Sequence, residues 1–121
     1  MEAKVRYTLS REERLHYGRD FRRCLTAGAR AQGGSIVVHL AANPLGLTRV
    51  GVRISRRSGN AVRRNRIRRM VREAFRLTKH ELPRGFDMVV MPRVPWNEPG
   101  LEALKKDLAE AARRAVERLT G

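Results

Sequence analysis

The sequence predicts a single α/β domain, and three observations support this fold class. The chain has 121 residues, about the length of one domain and too short for two hydrophobic cores. Apolar residues recur at helical spacing in two long segments, residues 60–78 and 101–119. Three shorter segments are β-branched and apolar, as strands are: residues 35–42, 48–55 and 86–92. We therefore expect one domain over residues 1–121.

The N-terminal segment, residues 1–18, mixes charged side chains with a few apolar ones such as Val5 and Tyr7. This composition predicts a partly ordered arm. Within it, Ser10 and Glu13 have the spacing of a capping box, in which the two side chains bond the backbone at a helix start.

A short helix and two strands are predicted next. Apolar side chains recur at helical spacing from Arg19 to Ala27, and Gly28 is suited to end a helix. The apolar run Ser35–Ala42 predicts a strand, and turn residues follow at Asn43–Gly46. Apolar and polar residues alternate from Thr48 to Ser55, so we expect a hairpin whose second strand has one buried face.

The longest helix is predicted from about Asn60 to Thr78. Its apolar stripe consists of Ile67, Met70, Val71, Ala74 and Phe75. At 100° per residue, four polar side chains cluster opposite the stripe and two more flank them: Asn65, Arg69, Arg72 and Arg76, with Arg66 and Arg68 on the flanks. The positive charge therefore has an organised face.

The C-terminal third predicts a strand, a connection and a helix. Phe86–Pro92 is almost continuously apolar, which indicates a strand buried on both sides. The proline-rich segment that follows predicts a rigid connection. The last helix is expected to have Asn97 as its cap and Pro99 in its opening turn.

The composition favours a nucleic-acid partner. The chain has 27 Lys+Arg and 12 Asp+Glu, a formal charge of +15, and such an excess repels itself unless a polyanion neutralises it. Most of these cations are arginines, which suit bidentate phosphate contacts. The only cysteine, Cys24, excludes an intramolecular disulfide and fits the cytoplasm. The sequence contains no apolar run of roughly 20 residues and no signal peptide, so we expect no membrane span, although anionic headgroups also attract cationic surfaces.

Catalytic and metal-binding patterns are absent from the sequence. The three histidines, His16, His39 and His80, are far apart and have no matching carboxylate or cysteine pattern. No phosphate-binding loop or nucleophile motif is present. We expect no catalytic residue and no metal site in the protein alone.

The segment from Ser55 to Arg76 carries nine arginines and one acid, Glu73. A run of like charge is usually a solvated surface, but surfaces selected for solubility intersperse both signs. A helix start at Ser58–Asn60 would offer free amide groups to phosphate. Four arginines are expected to converge on this helix start: Arg56, Arg57, Arg63 and Arg64.

The block Arg49–Phe75, RVGVRISRRSGNAVRRNRIRRMVREAF, resembles the signature of the protein subunit of bacterial ribonuclease P. The residues in register with that signature are Gly59, Ala61, Val62, Arg64, Asn65, Arg66, Arg69 and Arg72. Looser similarity extends to Arg19–Gly28 and Phe86–Arg93, so the resemblance covers nearly the whole chain.

The resemblance implies a two-layer α/β sandwich of order αβββαβα, like the second domain of ribosomal protein S5. It also implies a left-handed crossover between the parallel strands on either side of the arginine helix. General handedness rules would predict the right-handed form. The resemblance includes a fourth strand, which the residue pattern alone does not place.

By the same resemblance, the protein assists a catalytic RNA that removes the 5′ leader from precursor tRNA. The expected cofactor is magnesium held mainly by the RNA, and a monomer is expected in the holoenzyme. The implied RNA-binding residues are Arg56, Arg57, Asn60, Arg64, Asn65, Arg66, Arg68, Arg69 and Arg72.

The resemblance further implies a cleft for the leader, with Phe21, His39 and Arg53 as candidate contacts. This sequence departs from the family there, because Leu25, Ile36 and His39 replace common aromatic residues. We expect leader stacking to be weaker or differently arranged.

Two alternatives remain open. A small ribosomal or ribosome-associated RNA-binding protein would share the charge, size and fold class, but tRNA processing would not depend on it. A nucleoid-type DNA binder would bind duplex DNA with comparable affinity.

Overall fold

The computed structural model describes residues 8–121, so Val5 and Tyr7 of the predicted arm lie outside the described residues. The described residues form three α-helices and one four-stranded sheet in the order αβββαβα, as the resemblance implies. The elements are α1 (Gly18–Ala27), β1 (Ala29–Gly33), β2 (Ile36–Ala42), β3 (Arg49–Val52), α2 (Ala61–Thr78), β4 (Phe86–Pro92) and α3 (Leu101–Thr120).

The strand order in the sheet is β1-β2-β4-β3. β1 and β4 both pair with β2 in antiparallel fashion, and β3 pairs with β4 in parallel. The predicted hairpin between β2 and β3 is therefore wrong, since β4 lies between them. The almost wholly apolar β4 gains most from a central position, where both of its faces are covered. The parallel β3/β4 pair agrees with the implied crossover, whose hand stays a prediction.

The fourth strand is β1, and it forms the hairpin with β2. Gly33 pairs with Ile36, so the turn consists of Gly34 and Ser35. Gly34 has φ of 44°, a left-handed conformation that glycine adopts without strain. The Asp107 carboxylate of α3 accepts hydrogen bonds from the backbone N and the hydroxyl of Ser35, at 3.1 and 2.9 Å. These hydrogen bonds fix the hairpin turn to α3.

The main core lies between one face of the sheet and the helices α2 and α3. Its largest fully buried side chains include Phe75, Ile36, Leu40, Ile67 and Met88. Trp96, from the connection before α3, is also buried in this core. The opposite sheet face is partly covered by α1, where Cys24 packs against Ala41 and Val89.

The start of α3 differs from the prediction. The helix begins at Leu101 after Gly100, and no side chain caps it, so the expectation of a cap at Asn97 is wrong. Burial of Trp96 anchors the connection to the core and places Asn97 outside the helix.

The described part of the arm packs along the edge of β3. Glu13 accepts hydrogen bonds from the backbone N and the hydroxyl of Ser10, at 3.0 and 2.9 Å, so the predicted interaction between Ser10 and Glu13 forms. Arg14 forms a parallel bridge with Val50, and the Leu15 backbone N donates to the Val50 carbonyl at 2.9 Å. The arm thereby covers the edge of β3.

Candidate nucleic-acid interface

The helix α2 begins at a turn that the sequence specifies residue by residue. Gly59 has φ of 124°, which favours glycine, and a Cβ there would lie 2.6 Å from Cδ of Arg63. Asn60 caps the helix, because its Oδ1 accepts a hydrogen bond from the Arg63 backbone N at 3.0 Å. The side chains of the first turn, including Val62 at 77% exposure, lie at the surface.

The two sides of α2 separate as predicted. Ile67, Val71, Ala74 and Phe75 are buried in the main core, and Met70 is half-buried. The polar side is accessible: Asn65, Arg66 and Arg69 are exposed, and Arg68 and Arg72 are half-buried. The cationic side of the helix therefore faces solvent.

The flank of α2 that faces α3, here called the α3 flank, carries compensating acids. Nε of Arg66 donates to Oε1 of Glu98 at 2.6 Å, and its Nη2 donates to Oε2 at 2.9 Å. Arg76 pairs with Glu73. The hydrogen bonds from Arg66 lower the pKa of Glu98. The sequence pattern indicates Glu73 as a compensating acid but not Glu98, which a distant loop contributes.

The opposite flank faces the N-terminal arm, and we call it the arm flank. It consists of Arg68 and Arg72 of α2, with Arg14 of the arm. Arg68 donates to Oδ1 of Asn65 at 2.9 Å. The pKa of Arg72 is lowered by burial and by the neighbouring charges of Arg14 and Arg68. Arg14 has no helical spacing to α2, so no sequence pattern could link it to this surface.

The arginines before and within the first turn of α2 have different environments. Arg56 and Arg57 are exposed in the short 3-10 turn Arg56–Ser58. Arg63 instead donates to the carbonyl of Trp96 at 3.4 Å. Four arginines were expected to converge on the helix start. Arg63 is not confirmed as one of them, because its guanidinium contacts the connection before α3.

The second face of the sheet brings the three predicted leader contacts to one side. His39 of β2 pairs with Val89 of β4, and Val89 pairs with Gly51 of β3. His39, Val89 and Gly51 therefore form one row across the sheet. The Phe21 ring covers Gly51, where any Cβ would collide with it. By strand alternation Arg53 projects from the same face as Gly51.

His39 and Ile36 lie on opposite faces of the sheet. Burial lowers the pKa of His39, as do the charges of Arg30 and Arg53, which favours a neutral imidazole near neutral pH. Ile36 is fully buried in the main core on the other side of the sheet. The expectation that Ile36 replaces a cleft aromatic is therefore wrong, since alternation along β2 directs it away.

A buried carboxylate, Asp87 of β4, joins α1 to the sheet. It accepts two hydrogen bonds from Arg49, both at 2.7 Å, one from Asn43 at 2.8 Å, and one from Arg23 of α1. Burial alone would raise the pKa of Asp87, but these partners outweigh it and lower the pKa. The sequence patterns do not predict this network, although a lone aspartate in an apolar strand signals a buried ion pair.

Metal-ligand clusters and membrane-spanning helices are both absent from the described residues. Among residues 8–121, no three His, Cys, Asp or Glu side chains are grouped so that they could hold a metal ion. No helix in this part of the chain is long and apolar enough to cross a bilayer.

Comparisons with known proteins agree on one family. The family model described as Ribonuclease P matches residues 9–116. The ribonuclease P protein component of Thermotoga petrophila is 41% identical over 91 residues, which cover 75% of this chain and 78% of that protein. That of Chlamydia abortus is 36% identical over 112 residues, covering 92% and 79%.

Solved structures show the same similarity. The ribonuclease P protein from Thermotoga maritima matches with a TM-score of 0.75 and 34% identity, covering 84% of this chain and 96% of that one. The Staphylococcus aureus ribonuclease P protein matches with a TM-score of 0.73 and 28% identity, covering 85% and 94%.

Proposed function

This chain belongs to the ribonuclease P protein family, and we propose from that membership that it binds a catalytic RNA and assists 5′ maturation of tRNA. Ribonuclease P is an endoribonuclease, and the chain is its protein component. The observation that carries the proposal is the accessible cationic side of α2, on the segment that bears the family signature. Arginine forks on such a surface suit phosphate groups.

The proposed contacts with the catalytic RNA are those that the resemblance implies: Arg56, Arg57, Asn60, Arg64, Asn65, Arg66, Arg68, Arg69 and Arg72. Following the family resemblance, magnesium is assigned mainly to the RNA. The protein's part is to neutralise crowded phosphates and orient the substrate. We place this work in the cytoplasm, with one protein copy in each holoenzyme.

Reconstitution tests the proposal. A transcribed bacterial ribonuclease P RNA is given precursor tRNA at low magnesium, with and without this protein. We expect cleavage at the 5′ end of the mature tRNA to be faster with the protein. If the protein binds the RNA without any effect on cleavage, a ribosomal or other RNA-binding role would replace this one.

The leader of precursor tRNA is assigned to the second sheet face. Phe21 and a neutral His39 could stack on bases, and Arg53 could neutralise a phosphate. Cross-linking from photoreactive leader nucleotides should reach Phe21 or His39. Cross-links confined to α2 would contradict the assignment.

A further inference from the structure

The two flanks of α2 differ in the partners that the fold gives their arginines. On the α3 flank, Arg66 pairs with Glu98. On the arm flank, no Asp or Glu among residues 8–121 forms an ion pair with Arg14, Arg68 or Arg72. The arm flank is therefore the less compensated side of the helix.

Arg14 is held in place by both of its neighbours. Before it, Glu13 is only 8% exposed, and both of its carboxylate oxygens accept hydrogen bonds from Nζ of Lys79, at 2.9 and 2.8 Å. After it, Leu15 is 7% exposed and bonds to the Val50 carbonyl at 2.9 Å. The exposed Arg14 thus extends from a fixed backbone, and ordering of that backbone adds little to the cost of binding a ligand.

The cluster formed by Arg14, Arg68 and Arg72 costs the free protein electrostatic energy. The positive charges of Arg14 and Arg68 repel that of Arg72, which is also partly removed from water. A phosphodiester group would relieve this repulsion and match the fork geometry of guanidinium. The same flank continues into an open depression lined by Val62, Asn65, Arg68, Arg69 and Arg72, with a volume of about 510 Å³. The arm therefore adds a cation at the edge of the proposed RNA-binding surface.

We propose that Arg14 is a further RNA-binding residue, which joins Arg68 and Arg72 in contacting a backbone phosphate of the catalytic RNA. The inference rests on the proposed function and deepens it. It extends the proposed RNA-binding surface of α2 onto the arm flank. The ion pair between Glu13 and Lys79 positions Arg14 for this contact.

Arg14→Ala tests the contact, with Arg113→Ala as a matched control. Arg113 is an exposed arginine on α3 that pairs with Glu117 at 2.7 Å, so both variants lose one positive charge. Binding to a transcribed ribonuclease P RNA is measured by filter binding over a range of salt concentrations. We expect Arg14→Ala to weaken binding by about tenfold and to reduce the slope of log K against log salt by about 0.7–0.9. Arg113→Ala should change the affinity and the salt slope much less than Arg14→Ala does.

The variant Glu13→Gln distinguishes the positioning of Arg14 from the effect of net charge on RNA binding. Loss of an acid raises the net positive charge, so general electrostatics predicts tighter binding to RNA. Release of the arm from Lys79 predicts weaker binding. We expect Glu13→Gln to bind the RNA more weakly than wild type, and circular dichroism verifies that the variant is folded. Tighter binding would contradict the positioning role of Glu13.

The outcomes separate the inference from the proposed function. If wild type binds the RNA and stimulates cleavage, but Arg14→Ala behaves like Arg113→Ala, the inference is wrong and the function stands. A loss seen only with precursor tRNA that carries a leader also overturns it, because Arg14 would then contact the leader. If wild type has no effect on cleavage, the proposed function itself fails.

Discussion

Arginines occur in two contrasting regions of the molecule, around Asp87 and on α2. At Asp87, Arg49 makes two hydrogen bonds of 2.7 Å to a fully buried carboxylate, and Arg23 joins them. On the polar side of α2, Arg69 is exposed, and no carboxylate among residues 8–121 forms an ion pair with it. The same side chain therefore stabilises the fold where it meets a buried acid, and is available to a polyanion where it does not.

Removal of the buried acid should have the largest effect on stability. Asp87→Ala removes the buried carboxylate that accepts both hydrogen bonds from Arg49, which among the described residues keeps only Asp20, at 3.7 Å. Removal of one partner of a buried pair costs about 3–5 kcal/mol. Urea denaturation measures the change in the free energy of unfolding. As a control, Glu110→Ala breaks only the exposed pair with Arg114 and should change stability little. Equal destabilisation of the two variants would contradict the role given to Asp87.

The ion pairs of Asp87 should also make the stability of the fold depend on pH. The folded-state pKa of Asp87 is lowered from its ordinary value of 3.8. The Asp87 carboxyl therefore binds a proton more tightly in the unfolded state than in the folded state. The stability that ionised Asp87 contributes to the fold is complete above pH 3.8 and is lost as pH falls through the lower folded-state pKa. Because Glu13 has a lowered pKa as well, wild type is compared with Asp87→Asn. We expect a flatter decline of stability on acidification in the variant, and identical profiles would refute this.

On α2, changes should affect RNA binding rather than folding. Arg69→Ala should weaken binding to the catalytic RNA by about tenfold and reduce the salt slope by about 0.7–0.9, because one fewer phosphate is neutralised. Arg66→Ala should have a smaller effect, because Arg66 must first leave Glu98. Filter binding across salt measures both. An unchanged slope in both variants would count against the assignment of this surface.

Removal of the acid that pairs with Arg66 should slightly tighten RNA binding. Glu98→Gln frees Arg66 from a carboxylate that occupies the same donors as a phosphate would. Because surface pairs are weak, we expect binding to tighten by no more than about fivefold. Glu102→Gln, at an exposed acid on α3 paired with Lys105, controls for the change in net charge. A gain of the same size in both variants would indicate general electrostatics alone.

Much of this arrangement could be predicted from local patterns. The apolar stripe of α2 and the run in β4 each specify an element and its burial without reference to distant residues. The pairing of β2 could not be predicted in this way, because sequence proximity favoured β3 whereas burial of both faces placed β4 beside β2. The strand β1 could not be placed either, because its sequence, ARAQG, contains no β-branched or aromatic residue.

The site was predictable to a similar extent. Helical periodicity placed Asn65, Arg69 and Arg72 on one surface, since a helix fixes their relative directions. Glu98 and Arg14 come from segments whose approach to α2 depends on the tertiary fold, so no spacing in the sequence indicates them. The hydrogen bonds that join Asp87 to arginines of α1 and β3 likewise depend on the packing of α1 against the sheet.

The central claim, that the cationic side of α2 binds the catalytic RNA, can be tested by tethered cleavage. Cys24 is fully buried and its pKa is raised to about 11 by burial, so an iron chelate would attach to an introduced surface cysteine instead. Val62→Cys places it beside Asn65 and Arg69, and Arg113→Cys places it on α3. We predict cuts in the catalytic RNA from position 62 and few or none from position 113. Strong cuts from position 113 with none from position 62 would contradict the claim.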